Sequence, residues 1–495
     1  MPPTLHPENK RVPYLPSDII HTIVQVVALE FDIENLDSWT QHQRRLRREY
    51  YCKDLLSLRA VCREFCWITS PRVFRTLRLT HTLKSTAGFL DIIQSPWVNH
   101  CVQSVKYQYW NPGKAIALSR PIYFLCFSIS DHVAVTEPFR YEKPSADVVS
   151  ERKASAEIRQ QLSHALSRLH EFPMLKSLSI RFGEIAPHPT ELDRIRDDLS
   201  SILDALVSLG TSLPRPLKSL SFTRLPPIHL EQYDSTAFLA LRANLSVFEV
   251  HLAGTDSWSA LVTPPLPEGL ISPCEPFFYD TLPGRLLPPP SAPTGLENLE
   301  ALALCFSDPT GVFYLKYSFS KLHFPRLRAL RLQHVQFSIA CDAENFILQH
   351  AETLLELHLL HSQIAVASND EEQSADALNN SGFNGWPDVP RPWSAIYEEL
   401  NKKLQRLVFL DVQDPWWISF PDRYVTYSPG EMMQFLEEGR PDDKYQLETF
   451  RKAVKDRADK LAAEYEREHF PSCSKSLPKL INGKPLSLLS STRRR

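Results

Sequence analysis

The sequence predicts an α/β chain in which a helical N-terminal module precedes a long body of irregularly repeated strand–helix units. Three observations carry that expectation. Apolar residues spaced i, i+3 and i+5 recur nine times between Phe74 and Val412, several copies lying 27 or 28 residues apart. Segments of helical periodicity separate the copies, and two further helical patterns lie ahead of them. Among 495 residues glycine is scarce (14) and proline abundant (40), which supplies many loop stops and little material for phosphate-cradling loops.

The clearest copies are Leu175/Leu178/Ile180, Leu217/Leu220/Phe222, Leu245/Phe248/Val250, Leu299/Leu302/Leu304, Leu327/Leu330/Leu332, Leu354/Leu357/Leu359 and Leu407/Leu410/Val412. Phe74/Leu77/Leu79 and Val102/Val105/Tyr107 are weaker versions. Start-to-start separations include 28 (74 to 102, 217 to 245, 299 to 327) and 27 (327 to 354), and those of 54 and 53 are close to doubled units. The last two apolar positions of a copy alternate, as a strand with one buried face requires. Helices are expected over Ser155–Leu169, Leu192–Leu209 and Asp342–His350. Period and pattern together resemble leucine-rich repeats, whose units of about 20–29 residues hold a short strand and a helix. The resemblance implies an irregular solenoid over residues 74–421, stabilised by stacking because no unit buries its own apolar face. The outward middle residues of its strands, Ser179, Ser221, Glu249, Ala303, Arg331, His358 and Asp411, then form one shared face for a protein substrate. They mix both charges with small groups and name no ligand class.

Ahead of the repeats, Leu15-Pro16-Ser17-Asp18 opens a helix: proline is tolerated in a first turn, and Asp18 suits the positive end of the dipole. Ile19, Ile20, Ile23, Val26 and Val27 follow at helical spacing. A second helix is expected from near Asp54, carrying Leu55, Leu56, Leu58, Val61, Cys62, Phe65 and Ile68, with Ser70-Pro71 as its stop. So few short amphipathic helices leave a surplus of apolar side chains, which suggests a partner surface.

These residues resemble the F-box family. The resemblance rests on the leucine–proline opening Leu15-Pro16 with Ile19, Ile20 and Ile23, the Asp54-Leu55-Leu56 helix start with Leu58, then Val61-Cys62-Arg63 and the aromatic Phe65, and a closing Pro71, Val73, Phe74 and Leu77. It implies a three-helix module over residues 14–73 that docks on a Skp-type adaptor and through it on a cullin-RING ubiquitin ligase. The contacts it implies are Leu15, Pro16, Ile19, Ile20, Leu55, Leu56, Leu58, Val61 and Cys62. One departure is an insertion at about 30–53, with Trp39 and the basic run Arg44-Arg45-Leu46-Arg47-Arg48, where the family has only a few residues.

The remaining segments are read as connections and ends. Residues 1–13 are a flexible N-terminus. Thr255–Thr294, crowded with prolines, and the polar stretch Ala367–Arg391 are long loops. Asp411–Pro421, with Trp416 and Trp417, caps the last repeat. A helical segment over 422–470 carries Tyr445, Leu447, Phe450, Val454, Leu461 and Tyr465 on a loose stripe from Pro441 to Phe470. Residues 471–495, with Lys475, Lys479, Lys484 and Arg493-Arg494-Arg495 and no acid, form a disordered basic tail.

A net charge of −3, from 55 basic and 58 acidic residues, gives no global field for nucleic acid or an anionic membrane. The nine cysteines are scattered with no Cys-x-x-Cys pair, which argues for reduced thiols and against disulfide or zinc frameworks. No segment approaches the ~20 apolar residues of a membrane span, and Ile19–Leu29 is too interrupted for a secretory leader. A cytoplasmic or nuclear protein is expected. Phosphate-binding, dinucleotide, metalloprotease and nucleophile-elbow motifs do not occur. The expectation is therefore a non-enzyme without cofactor or metal: a substrate-recognition adaptor, or else a repeat scaffold with no ligase association. Nucleic-acid binding through Arg44–Arg48 and the tail is the third and weakest class.

Overall fold

Each apolar triplet begins on a turn and ends inside a strand. In the computed structural model the N–H of the first apolar residue closes a three-residue turn in copy after copy, as in Leu175 to Phe172 O, Leu299 to Leu296 O and Leu407 to Leu404 O. The model describes residues 16–29, 55–109, 146–183, 189–253, 277–288, 295–310, 318–320, 322–337, 341–367, 391–413, 424–427, 434–435 and 441–469.

The N-terminal helices are α1 (Ser17–Leu29), α2 (55–59) and α3 (Arg63–Val73). The body then runs β1 (Thr76–Thr80), α4 (Leu83–Gln94), α5 (Pro96–Asn99), β2 (Ser104–Gln108), α6 (Ala146–Ser167), β3 (Ser177–Arg181), α7 (Pro189–Ser212), β4 (Ser219–Leu225), α8 (Thr236–Ala243) and β5 (Val247–Leu252). It continues with β6 (Ala301–Thr310), β7 (Ala329–Phe337), α9 (Ala343–Gln349), β8 (Glu356–Leu360), β9 (Gln363–Ala367), α10 (Trp393–Lys403), β10 (Phe409–Gln413), β11 (Tyr424–Tyr427), β12 (Gln434–Phe435) and α11 (Pro441–His469).

The chain is mixed α/β. β1 to β8 and then β10 form one parallel sheet in which consecutive strands are neighbours, with β10 beside β8. Through the buried triplets the register is constant from β1 to β10: Leu77, Val105, Leu178, Leu220, Phe248, Leu302, Leu330, Leu357 and Leu410 pair in one row. A one-residue slip would turn every apolar side chain outward, so the buried row itself fixes the register. Leu178, Leu220, Phe248, Leu302, Leu330 and Leu357 are each 0% exposed, and residues two further on, such as Leu79, Ile180, Phe222 and Leu332, are as deeply buried. A backbone device repeats beside them. The carbonyl preceding each strand accepts two N–H groups from the next unit, as Lys218 O does from Ser246 and Val247, at 2.9 and 3.0 Å. Helices α4, α6, α7, α8, α9 and α10 pack their apolar sides on this core. Gly210 permits α7 to approach α8 closely, since a Cβ there would collide with the carbonyl oxygen of Ala237 on α8.

Three strands lie outside the regular pattern. Past the inward pair, Arg224, His334 and His361 adopt left-handed φ of 58°, 56° and 54° and turn the chain out of the ladder; the β4–β5 register shifts between Thr223 and Leu225. Beyond His361 the chain starts a second ladder: β9 pairs with the end of β7, then β11 with β9 in parallel, and β12 with β11 antiparallel. At the C-terminal end α11 lies on α10 and β10, burying Leu447, Phe450 and Val454 while Tyr445 and Leu461 stay 69% and 49% exposed. Arg457 anchors it by donating to Leu404 O and Asn401 O, and Arg451 by donating to Val412 O.

Three expectations need correction. The segment expected to be helical over 422–470 holds the strands β11 and β12, which pair with β9 and with each other, and its helix runs only over Pro441–His469. The helix expected from Asp54 to Ser70 is two helices. Ala60 and Val61 form a turn, and Cys62, extended at φ −158° and ψ 171°, caps a new helix that runs on through Pro71 to Val73. Pro71 lies in its last turn, where its missing N–H removes one bond while Phe74 N–H still reaches Ser70 O at 2.9 Å. The stretch Thr255–Thr294 is not loop throughout: Phe277–Leu286 is π-helical, with Phe277, Phe278, Leu282 and Leu286 buried in the main core. Leu15, residues 1–13, the insertion 30–53 with Trp39 and Arg44–Arg48, Trp416, Trp417 and the tail 471–495 lie outside the described residues.

Candidate interaction surfaces

The N-terminal helices close on a core of their own, made by Ile20, Val24, Leu55 and Phe65, with Ile23, Leu58, Ile68 and Val73 packed around it. Side chains tie the helices together: Arg72 on α3 donates to Val24 O on α1 at 2.8 Å, and Arg59 on α2 to Ser70 Oγ on α3 at 3.2 Å. The Arg59 guanidinium also lies 4.8 Å over the Phe74 ring, linking the module to the first repeat.

That small core divides the residues that the resemblance implies as adaptor contacts into two kinds. Ile20 (2% exposed) and Leu55 (0%) are interior and Leu58 is half-buried, so they hold the module together. Ile19 (46% exposed), Leu56 (44%) and Val61 (66%) face solvent, as do Pro16 and Cys62. Sequence reasoning did not single out Trp67, 61% exposed on α3, or Trp97, 64% exposed on α5, which meet edge to face with ring centroids 4.5 Å apart. Scattered exposed apolar residues are ordinary, but a group of them on one small module marks an interaction surface.

The second surface is the outward side of the parallel sheet. Ser179, Ser221, Glu249, Ala303, Arg331, His358 and Asp411 do stand side by side in register, with Arg78 and Lys106 continuing the row through β1 and β2. Sequence reasoning took only this middle row. The residues two before and two after share the face, as strand alternation requires. Ala303 is 2% exposed, so it is on the face but covered.

Towards β10 the row becomes polar and enclosed. Arg331 donates to Gln333 Oε1 at 3.3 Å, and His358 Nδ1 lies 3.4 Å from Asp411 Oδ2. The hydrogen bond from His358, aided by Gln413 and opposed by burial, holds the Asp411 carboxyl below the usual range. His251 and Cys305 are paired across β5 and β6. Burial, with Arg331 nearby, pushes the imidazole down to about 4, and burial pushes the thiol up to about 12. A nucleophilic cysteine needs the opposite shift, so this pair holds neither thiolate nor imidazolium at neutral pH. Among the described residues no group of three or more His, Cys, Asp or Glu side chains is placed to hold a metal ion, and no helix is long and apolar enough to cross a membrane. The chain matches no protein-family model, no curated protein and no solved structure.

Proposed function

We propose that the chain is a substrate-recognition adaptor of a Skp–cullin–F-box type ubiquitin ligase. Its N-terminal F-box-like helices dock a Skp-type adaptor, and its leucine-rich-repeat-like body holds a protein substrate. The reading is supported above all by the exposed apolar group Pro16, Ile19, Leu56 and Val61, carried on a module whose own core is complete without it. The chain's catalytic contribution is proximity: a substrate held near a charged conjugating enzyme reacts at raised effective concentration.

Capture of a purified Skp-type adaptor tests the proposal. Wild type binds, Leu56→Asp/Val61→Asp does not, and both have the same circular dichroism, because the two positions are exposed. Leu55→Asp serves as the contrast: it loses binding together with the helical signal of the module. A folded wild type that captures no adaptor sinks the ligase reading. The Trp67–Trp97 contact would then favour the second reading, a leucine-rich-repeat scaffold whose N-terminal helices cap the body.

A further inference from the structure

We propose that the outward face of β1–β3, together with the groove at the free edge of β1, docks an extended acidic segment of a protein partner. This rests on the substrate-holding half of the function proposed above and is independent of the adaptor half. The twelve outward positions of the first four strands are Thr76, Arg78 and Thr80; Ser104, Lys106 and Gln108; Ser177, Ser179 and Arg181; and Ser219, Ser221 and Thr223. No carboxylate stands among them. Three are cations, eight are hydroxyls and one is an amide. Arg78, Lys106 and Arg181 are exposed; Arg78 and Lys106 are neighbours in one row, about 4.8 Å apart as adjacent strands require, and Arg181 stands in the next row, beside Gln108. Cations at that spacing with short donors between them suit a chain of acceptors, which acidic side chains and an extended backbone both supply.

The same chemistry continues around the edge of the sheet. Among the described residues β1 has one strand neighbour, β2. Between β1 and α4 lies a groove of about 430 Å³ whose polar lining is Arg78, Thr80, Thr82, Lys84 and Ser85, again without a carboxylate. Gly88 opens it further, since a Cβ there would meet nothing within 4 Å. Its apolar lining, Leu77, Phe89 and Ile92, suits an extended segment that also carries an apolar side chain. A nucleic acid is the poorer occupant. Single strands are held by stacking bases on aromatic side chains, and none of the twelve outward positions is aromatic.

The test is fluorescence anisotropy of the full-length chain with three labelled peptides alternating serine with Glu, Gln or Lys, and with a single-stranded oligonucleotide. The Glu peptide binds best, and more weakly at high salt. Arg78→Glu/Lys84→Glu/Lys106→Glu weakens it by at least about tenfold, because like charges then face each other, and shifts the preference to the Lys peptide. Gly88→Leu weakens it without any change of charge. Reversal of exposed lysines on α11, Lys452→Glu/Lys455→Glu/Lys460→Glu, leaves it unchanged. Equal binding of the Gln and Glu peptides, indifference to the triple reversal on the face, or tighter binding of the oligonucleotide would each overturn the inference. Adaptor capture on the same samples separates the two proposals. A chain that prefers the acidic peptide but captures no adaptor upholds this inference and removes the ligase reading; capture without that preference does the reverse.

Discussion

The outward face of β1–β4 and that of β6–β8 share one ladder and one register, yet they meet solvent differently. On the first, the outward residues are serine, threonine, arginine and lysine with one glutamine, Gln108, and most are open or half-open. On the second, Ala301 and Ala329 are 0% exposed, Ala303 and Glu356 2%, Cys305 3% and Leu360 5%, and only Arg331, Gln333 and His358 are half-buried. The apolar triplet fixes the inward side identically in both halves, so the difference lies wholly in the outward rows. Small apolar residues there belong to a covered face, and hydroxyls with cations belong to an open one. A repeat pattern read only for its leucines is blind to this distinction.

The comparison predicts first where the halves behave alike. Leu220→Ala in β4 and Leu302→Ala in β6 both remove a fully buried side chain from the same row. Each costs about 2–5 kcal/mol in urea unfolding. If one is tolerated at under about 1 kcal/mol, the ladder is not a single continuous core.

The covered half also carries an acid sensitivity. His350, 2% exposed at the end of α9, accepts Phe324 N–H on Nε2 at 2.9 Å and donates from Nδ1 to Phe346 O at 2.7 Å. The first bond needs the neutral ring, since a protonated Nε2 cannot accept; the second is made by either form. Burial lowers its pKa to about 4, with the Phe346 bond working the other way and His323 adding to the fall. A histidine whose folded pKa is below its unfolded value of about 6.5 contributes stability that is complete above that value and is lost as pH falls towards 4. The loss is on the order of 3 kcal/mol, read as a falling urea midpoint between pH 7 and 4.5. His350→Gln is less stable at pH 7 but shows a shallower fall; an equally steep fall in the variant would assign the sensitivity elsewhere.

The halves part at equivalent outward positions. Ala303→Leu puts three more carbons into a covered site and costs about 1–3 kcal/mol, whereas Ser221→Leu, two strands away in the same row, stays within about 0.5 kcal/mol. Equal costs at the two would mean that the open face is covered as well.

Much of this was legible in the residues, and the failures have physical causes. All nine triplets fall on the nine strands of the parallel sheet, because a buried i+3/i+5 pair leaves little freedom in phase. The helices expected at Leu192–Leu209 and Asp342–His350 match α7 and α9 with ends displaced by one to three residues, and the one expected at Ser155–Leu169 falls in α6, which starts nine residues earlier, at Ala146. The break at Ala60-Val61 was hidden because apolar spacing runs through it unbroken; a turn between two helices on one small core preserves the phase. Phe277–Leu286 was hidden by Pro283 and the prolines at 288–290, although Phe278, Leu282 and Leu286 at fourfold spacing were its trace. The β9–β11 ladder depends on left-handed turns at His334 and His361, which no local propensity announces. At the N-terminal module the residues were legible, but their division into support (Ile20, Leu55) and surface (Ile19, Leu56, Val61) required packing.

The smallest expected effect sharpens the comparison at the margin of the covered half. Gln363 opens β9 at 1% exposure, and neither its Oε1 nor its Nε2 has a hydrogen-bond partner among the described residues. A buried polar atom left unpaired costs about 1–3 kcal/mol, whereas an apolar group of the same shape costs nothing of that kind. Gln363→Met keeps an unbranched chain of similar length and removes both unpaired atoms. It therefore raises the urea midpoint, with a gain of about 1 kcal/mol. A loss of similar size would mean that the amide has a partner in the folded protein, and that the covered half is closed by polar contacts rather than by apolar packing alone.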